Sequence, residues 1–374
     1  MSSRAWLESS FMQIWRRRSW RSRLLLPVAW LYGALLLMRR LLYRLGWLRT
    51  TQLPVPVIIV GNIFVGGTGK TPMVIWLVEQ LRERGWHPGV IARGYRADLD
   101  QVSQVLANSD PSVVGDEPLL IKQRTGVPVW VGRSRVASAQ QMLRAHPDID
   151  VVISDDGLQH YALARSIEIQ LSDGRGHGNG WLLPAGPLRE PASRRADFFV
   201  VNQDASAAQP AAQPAAQPAS LERSVVYEVS TGFAASAEPA KDSQSTFQMR
   251  LLPKFAEQLA QRSQRQLLSA LPHQQRIIAA AGIGHPQRFF DMLSSHGVVL
   301  HDTIALPDHY DYRSNPFRQV HADMILITEK DAVKCAGTHE LASDARLWVV
   351  PVVVAIDELL LNNIVEKLRG PSTA

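Results

Sequence analysis

A chain of 374 residues is long enough for two ordinary domains, and its 46% hydrophobic and 20% charged residues exclude wholesale disorder. A single cysteine, Cys335, excludes an internal disulfide and fits a reducing compartment. The net charge is +6, and basic residues concentrate at the N-terminus beside an apolar run, which favours an anionic membrane surface over a nucleic-acid groove.

Residues 1–50 stand apart. Arg16, Arg17, Arg18, Arg21 and Arg23 precede an apolar run from Leu24 to Met38, and Arg39, Arg40, Arg44 and Arg49 follow it. Trp6, Trp15, Trp20, Trp30 and Trp47 punctuate this segment as interfacial anchors do. The run is 15 residues, short of the roughly 20 that span a bilayer. Leu41 to Tyr43 lengthen it only by drawing in Arg39 and Arg40. A span and an interfacial helix with snorkelling arginines both fit. No small-residue cleavage site follows, so a secretory signal is not expected. The segment reads as a membrane anchor.

The next stretch organises the rest. Val57 to Val60 reads as a buried strand, a glycine-rich turn follows, and Met73 to Arg84 reads as a helix. Strand, glycine loop, Lys-Thr and helix form the order of a phosphate-binding P-loop. The loop Phe64, Val65, Gly66, Gly67, Thr68, Gly69 would wrap backbone N–H groups around the phosphates of ATP. Lys70 would reach the outer phosphates, and the Thr71 hydroxyl would hold Mg²⁺. The strict G-x-x-x-x-G-K-[ST] pattern is not met, because its first glycine falls at Phe64. The tighter G-G-T-G-K-T is closer to doubled-glycine ATPase loops, although Val65 stands where those carry a lysine.

Pro88 to Ala92 reads as a strand, then Gly115-Asp116-Glu117-Pro118 opens a helix to about Arg124. Two carboxylates there also suit a helix N-terminus as caps. A strand over Val127–Val131 and a helix over Arg133–Ala145 come next. Val151 to Ser154 runs into Asp155-Asp156-Gly157-Leu158-Gln159-His160, an apolar strand ending in acidic residues downstream of a P-loop, as in Walker B. Ile167–Leu171 and Phe198–Val201 read as strands. Between them Asp173–Glu190 is too rich in glycine and proline for regular structure, and so long a loop is often functional. Three Ala-Ala-Gln-Pro copies over Ala207–Pro218 read as a flexible surface insertion. Short strands at Val225–Val229 and Gln248–Leu252 flank a linker.

Arg276–Ala281 opens a second α/β unit, with a Gly282-Ile283-Gly284 turn and a helix over Pro286–Ser295. Strands are expected at Val298–Leu300, Met324–Thr328 and Leu347–Val353, and a terminal helix at Asp357–Leu368. Glu329-Lys330-Asp331 lacks the spacing of the guanine-reading motif.

Taken together, these segments resemble the tetraacyldisaccharide 4′-kinase family. The resemblance is carried by Gly61-Asn62 with the G-G-T-G-K-T-P loop, Ala92-Arg93-Gly94-Tyr95, Gly115-Asp116-Glu117-Pro118 and Asp155 to His160. It continues through Leu183 to Glu190, Pro307-Asp308-His309-Tyr310 and Thr328 to Lys334. The resemblance implies an α/β fold of two α/β/α domains, the first P-loop NTPase-like, joined by a short β linker and preceded by a membrane-anchoring helix. Its expected segments are the anchor at 1–50, the P-loop kinase domain at 51–203, the insertion and linker strands at 204–272, and the second α/β domain at 273–374. It implies an inner-membrane enzyme facing the cytosol that moves the γ-phosphate of ATP to the 4′-hydroxyl of a tetraacyldisaccharide 1-phosphate, forming lipid IVA. Asp116 would be the base, paired with His309. Mg²⁺ would be held by Thr71 with Glu117 and with Asp155 or Asp156. Gln159, His160, Arg189 and Glu190 would face the lipid substrate. A membrane-associated P-loop switch ATPase is the alternative, and it predicts ATP turnover without a lipid acceptor.

Overall fold

The computed structural model describes residue 15 and residues 17–94, 102–203, 245–272 and 274–370. Tyr95, the Ala-Ala-Gln-Pro repeat and the expected strand at Val225–Val229 lie outside the described residues.

Fifteen strands are described: β1 (Val57–Asn62), β2 (Pro88–Ala92), β3 (Ser103–Val105), β4 (Val129–Val131), β5 (Val151–Asp155), β6 (Ile167–Asp173), β7 (Phe198–Gln203), β8 (Thr246–Pro253), β9 (Phe255–Gln258), β10 (Arg265–Leu267), β11 (Ile277–Ala281), β12 (Asp302–Ala305), β13 (Met324–Thr328), β14 (Leu347–Val350) and β15 (Val352–Ile356). The helices that matter here are α1 (Leu26–Arg44), α2 (Lys70–Glu83), α3 (Asp116–Thr125), α4 (Arg135–Ala145), α5 (Pro286–Ser295), α6 (Glu329–Cys335) and α7 (Glu358–Arg369).

The strands form two mixed sheets, ordered β15-β8-β7-β6-β1-β5-β2-β4-β3 and β10-β9-β14-β13-β11-β12. Central pairs are parallel, and antiparallel pairing occurs at β3–β4, β8–β15, β9–β10 and β9–β14. Parallel central strands are covered on both faces, so they read as unbroken apolar runs. Val57-Ile58-Ile59-Val60 is buried throughout. Ile58 and Val60 face a core with Met73, Leu77 and Val78 of α2. Val57 and Ile59 face the opposite core with Ile91, Met142 and Leu158.

Three expected elements differ from those observed. α2 starts at Lys70 instead of Met73, because Gly69 turns the chain at φ 90° and the helix begins at once. The strand expected at Val298–Leu300 is an entry segment in which only Val298 is buried, and β12 lies later, at Asp302–Ala305. β12 is a polar edge strand held by backbone pairing to β11, so no apolar alternation marks it. The run Leu347–Val353 is divided at Pro351, and its halves enter different sheets. A proline offers no N–H for a ladder, so a change of partner is cheap there.

That division has a consequence for the chain's organisation. β15 pairs with β8 in the nine-stranded sheet, and α7 buries Leu360, Leu361, Ile364 and Val365 in the same core as α2. Residues 352–369 therefore share a core with residues far upstream, and a boundary at residue 272 does not follow sheet membership.

One described helix, α1, is long and apolar enough to cross a membrane, and it is mostly exposed, with one side partly buried against the rest of the chain. It is longer than the apolar run suggests because it takes in Arg39, Arg40 and Arg44. Arg40 is accommodated by turning inward to the buried carboxylate of Glu190.

Leu360 is fully buried although it lies near the C-terminus. Leu360→Ala is expected to cost about 2–5 kcal/mol of stability. Urea unfolding of the two proteins measures this, and an unchanged midpoint would contradict the shared core.

Candidate active site where the two sheets meet

The phosphate loop leaves the carboxyl end of β1. Gly69 at φ 90° occupies a conformation that side chains rarely adopt, and a Cβ there would sit 2.9 Å from Asn202 Nδ2. Asn62, the last residue of β1, braces the loop: its Nδ2 donates to the Gly66 carbonyl at 3.1 Å, and its Oδ1 accepts from Lys70 Nζ at 3.3 Å. Phe64 is buried in the core and Val65 N–H donates to the Pro187 carbonyl at 3.0 Å. These two residues support the loop from beneath, and the Val65 N–H is already engaged. Thr68 and Thr71 are buried, and Thr68 Oγ1 has no hydrogen-bond partner.

Asp155 and Asp156 follow at the end of the neighbouring strand, β5, but in unlike environments. Asp155 is buried, with Oδ1 lacking a hydrogen-bond partner. Burial, and then the charge of Glu117, push its carboxyl up to about 7. Asp156 sits at φ 49°, in the left-handed region uncommon for residues other than glycine but tolerated by aspartate. Arg189 Nη1 donates to both of its oxygens, at 3.1 and 2.9 Å, and Lys70 Nζ lies 3.9 Å away. Burial works against ionisation there, yet Lys70 and Arg189 outweigh it and hold the carboxyl below the usual range.

Asp116 and Glu117 open α3 after Gly115, which turns at φ 93°. Both carboxylates meet cations from the second sheet's side. His309 Nδ1 lies 3.1 Å from Asp116 Oδ2, and Lys334 Nζ of α6 lies 3.7 Å from the same oxygen. Lys330, also on α6, pairs with Glu117. Burial pushes the Asp116 carboxyl up, but the His309 hydrogen bond and the charges of Lys330, His309 and Lys334 prevail and hold it well below the carboxylate range. The His309 imidazole is raised in turn, first by its hydrogen bond to Asp116. Glu117 is held low chiefly by Lys330, with Lys70 contributing, so this carboxylate also feels the phosphate-loop side.

His309 is fixed from behind. Its N–H donates to the Gly282 carbonyl at 3.1 Å, and Gly282 N–H donates to Asp331 Oδ2 at 3.1 Å. Asp331 is fully buried and accepts from the Thr328 hydroxyl at 2.6 Å. His309 itself adopts φ 55°. The Gly282-Ile283-Gly284 turn and the Thr328–Asp331 segment thus position the histidine.

Sequence reasoning singled out no role for Lys330, Lys334 or Arg175. Arg175 lies in the long glycine-rich loop, with its guanidinium 4.5 Å from the Phe64 ring centroid. Its Nη2 donates to the Gly67 carbonyl at 2.9 Å, and its Nη1 lies 2.7 Å from His285 Nε2. Asp173 binds both Arg175 and Arg288 of α5, so this loop links the phosphate loop to the second sheet's helix. The signal for Arg175 was the expectation that so long a loop is functional, and that for Lys330 and Lys334 was their place in the Thr328–Lys334 segment that carries the family resemblance.

The four residues expected to face substrate divide. Arg189 reaches Asp156 as described. His160 is half-buried, and burial followed by Arg135, Arg93 and Arg39 pushes its imidazole down to about 4, so it is neutral at pH 7. Glu190 is completely buried. Its carboxylate accepts from Arg194 Nε at 2.8 Å, Tyr161 Oη at 2.9 Å and Gln159 Nε2 at 3.1 Å, and pairs with Arg40. Glu190 and Gln159 therefore sit in a buried network that docks α1. Removing one member of a buried ion pair leaves its partner uncompensated, so Glu190→Ala is expected to cost about 3–5 kcal/mol. Urea unfolding checks this. A lowered substrate affinity with undiminished stability would instead make Glu190 a binding residue.

Comparison with known proteins places this geometry. A family model described as tetraacyldisaccharide-1-P 4′-kinase matches residues 21–369. The chain is 50% identical over 372 residues to the tetraacyldisaccharide 4′-kinase of Herminiimonas arsenicoxydans, covering 99% of this chain and 98% of that protein. It is 50% identical over 373 residues to the namesake from Janthinobacterium sp. (strain Marseille), covering 98% of each. Among solved structures it is similar to LpxK from Aquifex aeolicus, described as in complex with ATP, with a TM-score of 0.69 and 27% identity over 93% of this chain and 99% of that one.

Proposed function

The chain belongs to the tetraacyldisaccharide 4′-kinase family, and from that premise we propose how its residues carry out the transfer. The enzyme is a phosphotransferase of lipid A biosynthesis, and the switch-ATPase alternative gives way to it. Donor, metal and residue roles are our reading. The donor is ATP, as in the Aquifex aeolicus complex. The acceptor is the 4′-hydroxyl of a tetraacyldisaccharide 1-phosphate, as the family name implies. The nine-stranded unit, built from residues 51–203 and completed by β8, β15 and α7, acts as a P-loop kinase domain. The second sheet supplies His309 and the lysines of α6.

The observation that carries this reading is the Asp116–His309 contact across the two sheets. Phosphoryl transfer asks the protein for position and charge neutralisation more than for covalent chemistry. Gly66 to Gly69 and the N-terminus of α2 cradle the phosphates, with Lys70 reaching the outer ones. Asp116 orients the acceptor hydroxyl and takes its proton. A loose transition state draws little basicity from the base before bond formation, so a carboxylate held low can still accept the proton late. His309 stabilises the carboxylate and delivers closure between the sheets.

Among the described residues no cluster of three or more ligating side chains stands preassembled for a metal. Mg²⁺ bound with phosphates needs only one or two carboxylates. Asp155 fits: it is buried, carries an unpartnered oxygen, and is hard to ionise without a cation. We assign Mg²⁺ to Asp155 and Thr71, since Glu117 is paired with Lys330 and Asp156 with Arg189 and Lys70. Held there, the ion would supply positive charge to offset the negative charge of the transferring phosphate.

We further propose that α1 lies in the membrane interface and does not cross the bilayer. Its contacts with the catalytic unit run along its length. Ala29 is buried, Tyr32 Oη donates to the Arg189 carbonyl at 2.9 Å, Arg40 pairs with Glu190, and the Tyr43 ring centroid lies 5.8 Å from that of Tyr161. Residues 29–43 span about 21 Å at 1.5 Å per residue, so a helix docked over that length keeps only its outer face for lipid. That face carries exposed Trp30, Leu31, Leu35, Leu37, Met38 and Leu41. The catalytic units then sit on the cytoplasmic side of the inner membrane, where ATP is available.

Purified enzyme in detergent, with labelled ATP and a tetraacyldisaccharide 1-phosphate, tests the roles. Asp116→Asn and His309→Ala should each lower kcat on the order of 10²-fold, and the double variant should be little worse than the poorer single one. Lys70→Ala should abolish transfer. Near-wild-type kcat in both single variants would dispose of the dyad.

A further inference from the structure

A cavity of about 680 Å³ opens beside the C-terminal half of α1. Five arginines line it: Arg40, Arg44, Arg165, Arg194 and Arg195, with the Tyr161 ring among them. The guanidiniums of Arg40 and Arg165 lie 5.9 and 5.4 Å from the Tyr161 ring centroid. Glu168 and Glu190 neutralise part of this charge through Arg194, Arg165 and Arg40. Arg44 and Arg195 are exposed, and neither side chain has an ion-pair partner among the described residues. The kinase reaction leaves this excess of positive charge unused.

Position separates the cavity from the phosphate loop. Its wall at Thr50, Ala164 and Arg165 is stitched to the amino end of β1, where Ala164 N–H donates to the Thr51 carbonyl and Ser166 N–H to that of Val57. The phosphate loop leaves the other end of β1, about 17 Å away at 3.3–3.4 Å per residue. The cavity is instead lined by Arg40, Tyr43 and Arg44 of α1, next in sequence to exposed Leu41, and exposed Leu45 and Trp47 follow the helix. An acyl chain lying along these apolar residues would bring its headgroup to the arginines.

We propose that this cavity binds the phosphate of an anionic glycerophospholipid of the surrounding membrane, a site separate from the nucleotide and acceptor sites. Arginine forks suit phosphate oxygens, and several arginines converging on one cavity can share a phosphate that a lone surface charge could not hold. Such a lipid would fix the depth and rotation of α1 and so hold the acceptor-facing side of the enzyme at the headgroup level.

The test uses the full chain in neutral detergent and follows thermal unfolding. The probes are dihexanoyl phosphatidylglycerol, below the concentration at which it forms micelles, and dihexanoyl phosphatidylcholine. The anionic lipid is expected to raise Tm of the wild type, and the zwitterionic lipid to do so far less. Arg44→Gln with Arg195→Gln should weaken the anionic response more than tenfold, since a basic residue near such a headgroup contributes about fivefold. Arg21→Gln with Arg23→Gln, exposed at the other end of the apolar segment, should keep it and so control for overall charge. Kinase activity of the Arg44/Arg195 variant in detergent should persist, which separates this inference from the catalytic reading. Equal responses to the two lipids, or equal losses in the two double variants, would overturn the proposal in favour of diffuse charge. Inorganic phosphate matching the anionic lipid would overturn it in favour of a free-anion site. A raised KM for the acceptor with the lipid response intact would assign the cavity to the acceptor's own phosphate.

Discussion

Asp116 is the constraint on which the rest depends. It is a buried carboxylate at the first turn of a helix in one unit, and its compensating charges come from the other. Isolated, such a group would protonate or draw in water, because burying a lone charge is prohibitive. Paired with His309 and Lys334, it stays ionised and gives the two sheets a reason to meet at that point. Neighbouring pairs repeat the arrangement, with Lys330 on Glu117 and Arg124 of α3 on Glu329 of α6. The same contacts that join the two sides at this point thus set the charge state of the residues that make them.

Two neighbouring carboxylates show how environment divides labour. Asp155 lacks a cation of its own and is driven toward neutrality, whereas Asp156 is clamped by Arg189 and Lys70. The first has coordination capacity to offer, and the second has spent it on holding loops in place. Asp156, His309 and Tyr312 are the non-glycine residues with left-handed backbone among the described residues, and the first two lie in the candidate site. Around Glu190 the logic is structural. A fully buried carboxylate gathers Arg40, Arg194, Tyr161 and Gln159, and through Arg40 it ties the apolar N-terminal helix to the catalytic unit. An arginine inside an apolar helix looks like a defect in sequence, but its buried partner makes it the point of attachment.

Local chemistry determined much by itself. The apolar run Val57–Val60, the glycines after it and Lys70-Thr71 specify strand, phosphate loop and helix through short-range sterics and hydrogen bonding, and the acidic end of β5 is legible for the same reason. So is the apolar, arginine-flanked character of α1, which rests on composition. Tertiary structure decided what depends on partners remote in sequence. Nothing near Pro351 reveals that β14 and β15 belong to different sheets, because a strand's pattern records which faces are buried and not which neighbour it pairs with. Nothing near Glu190 announces Arg40, 150 residues away. His309 came into view through motif resemblance, but its 3.1 Å contact with Asp116, and the two lysines of α6 that share the work, exist only once the sheets are brought together. Charge in a sequence is a property of a residue, whereas the energy of that charge is a property of everything the fold places around it.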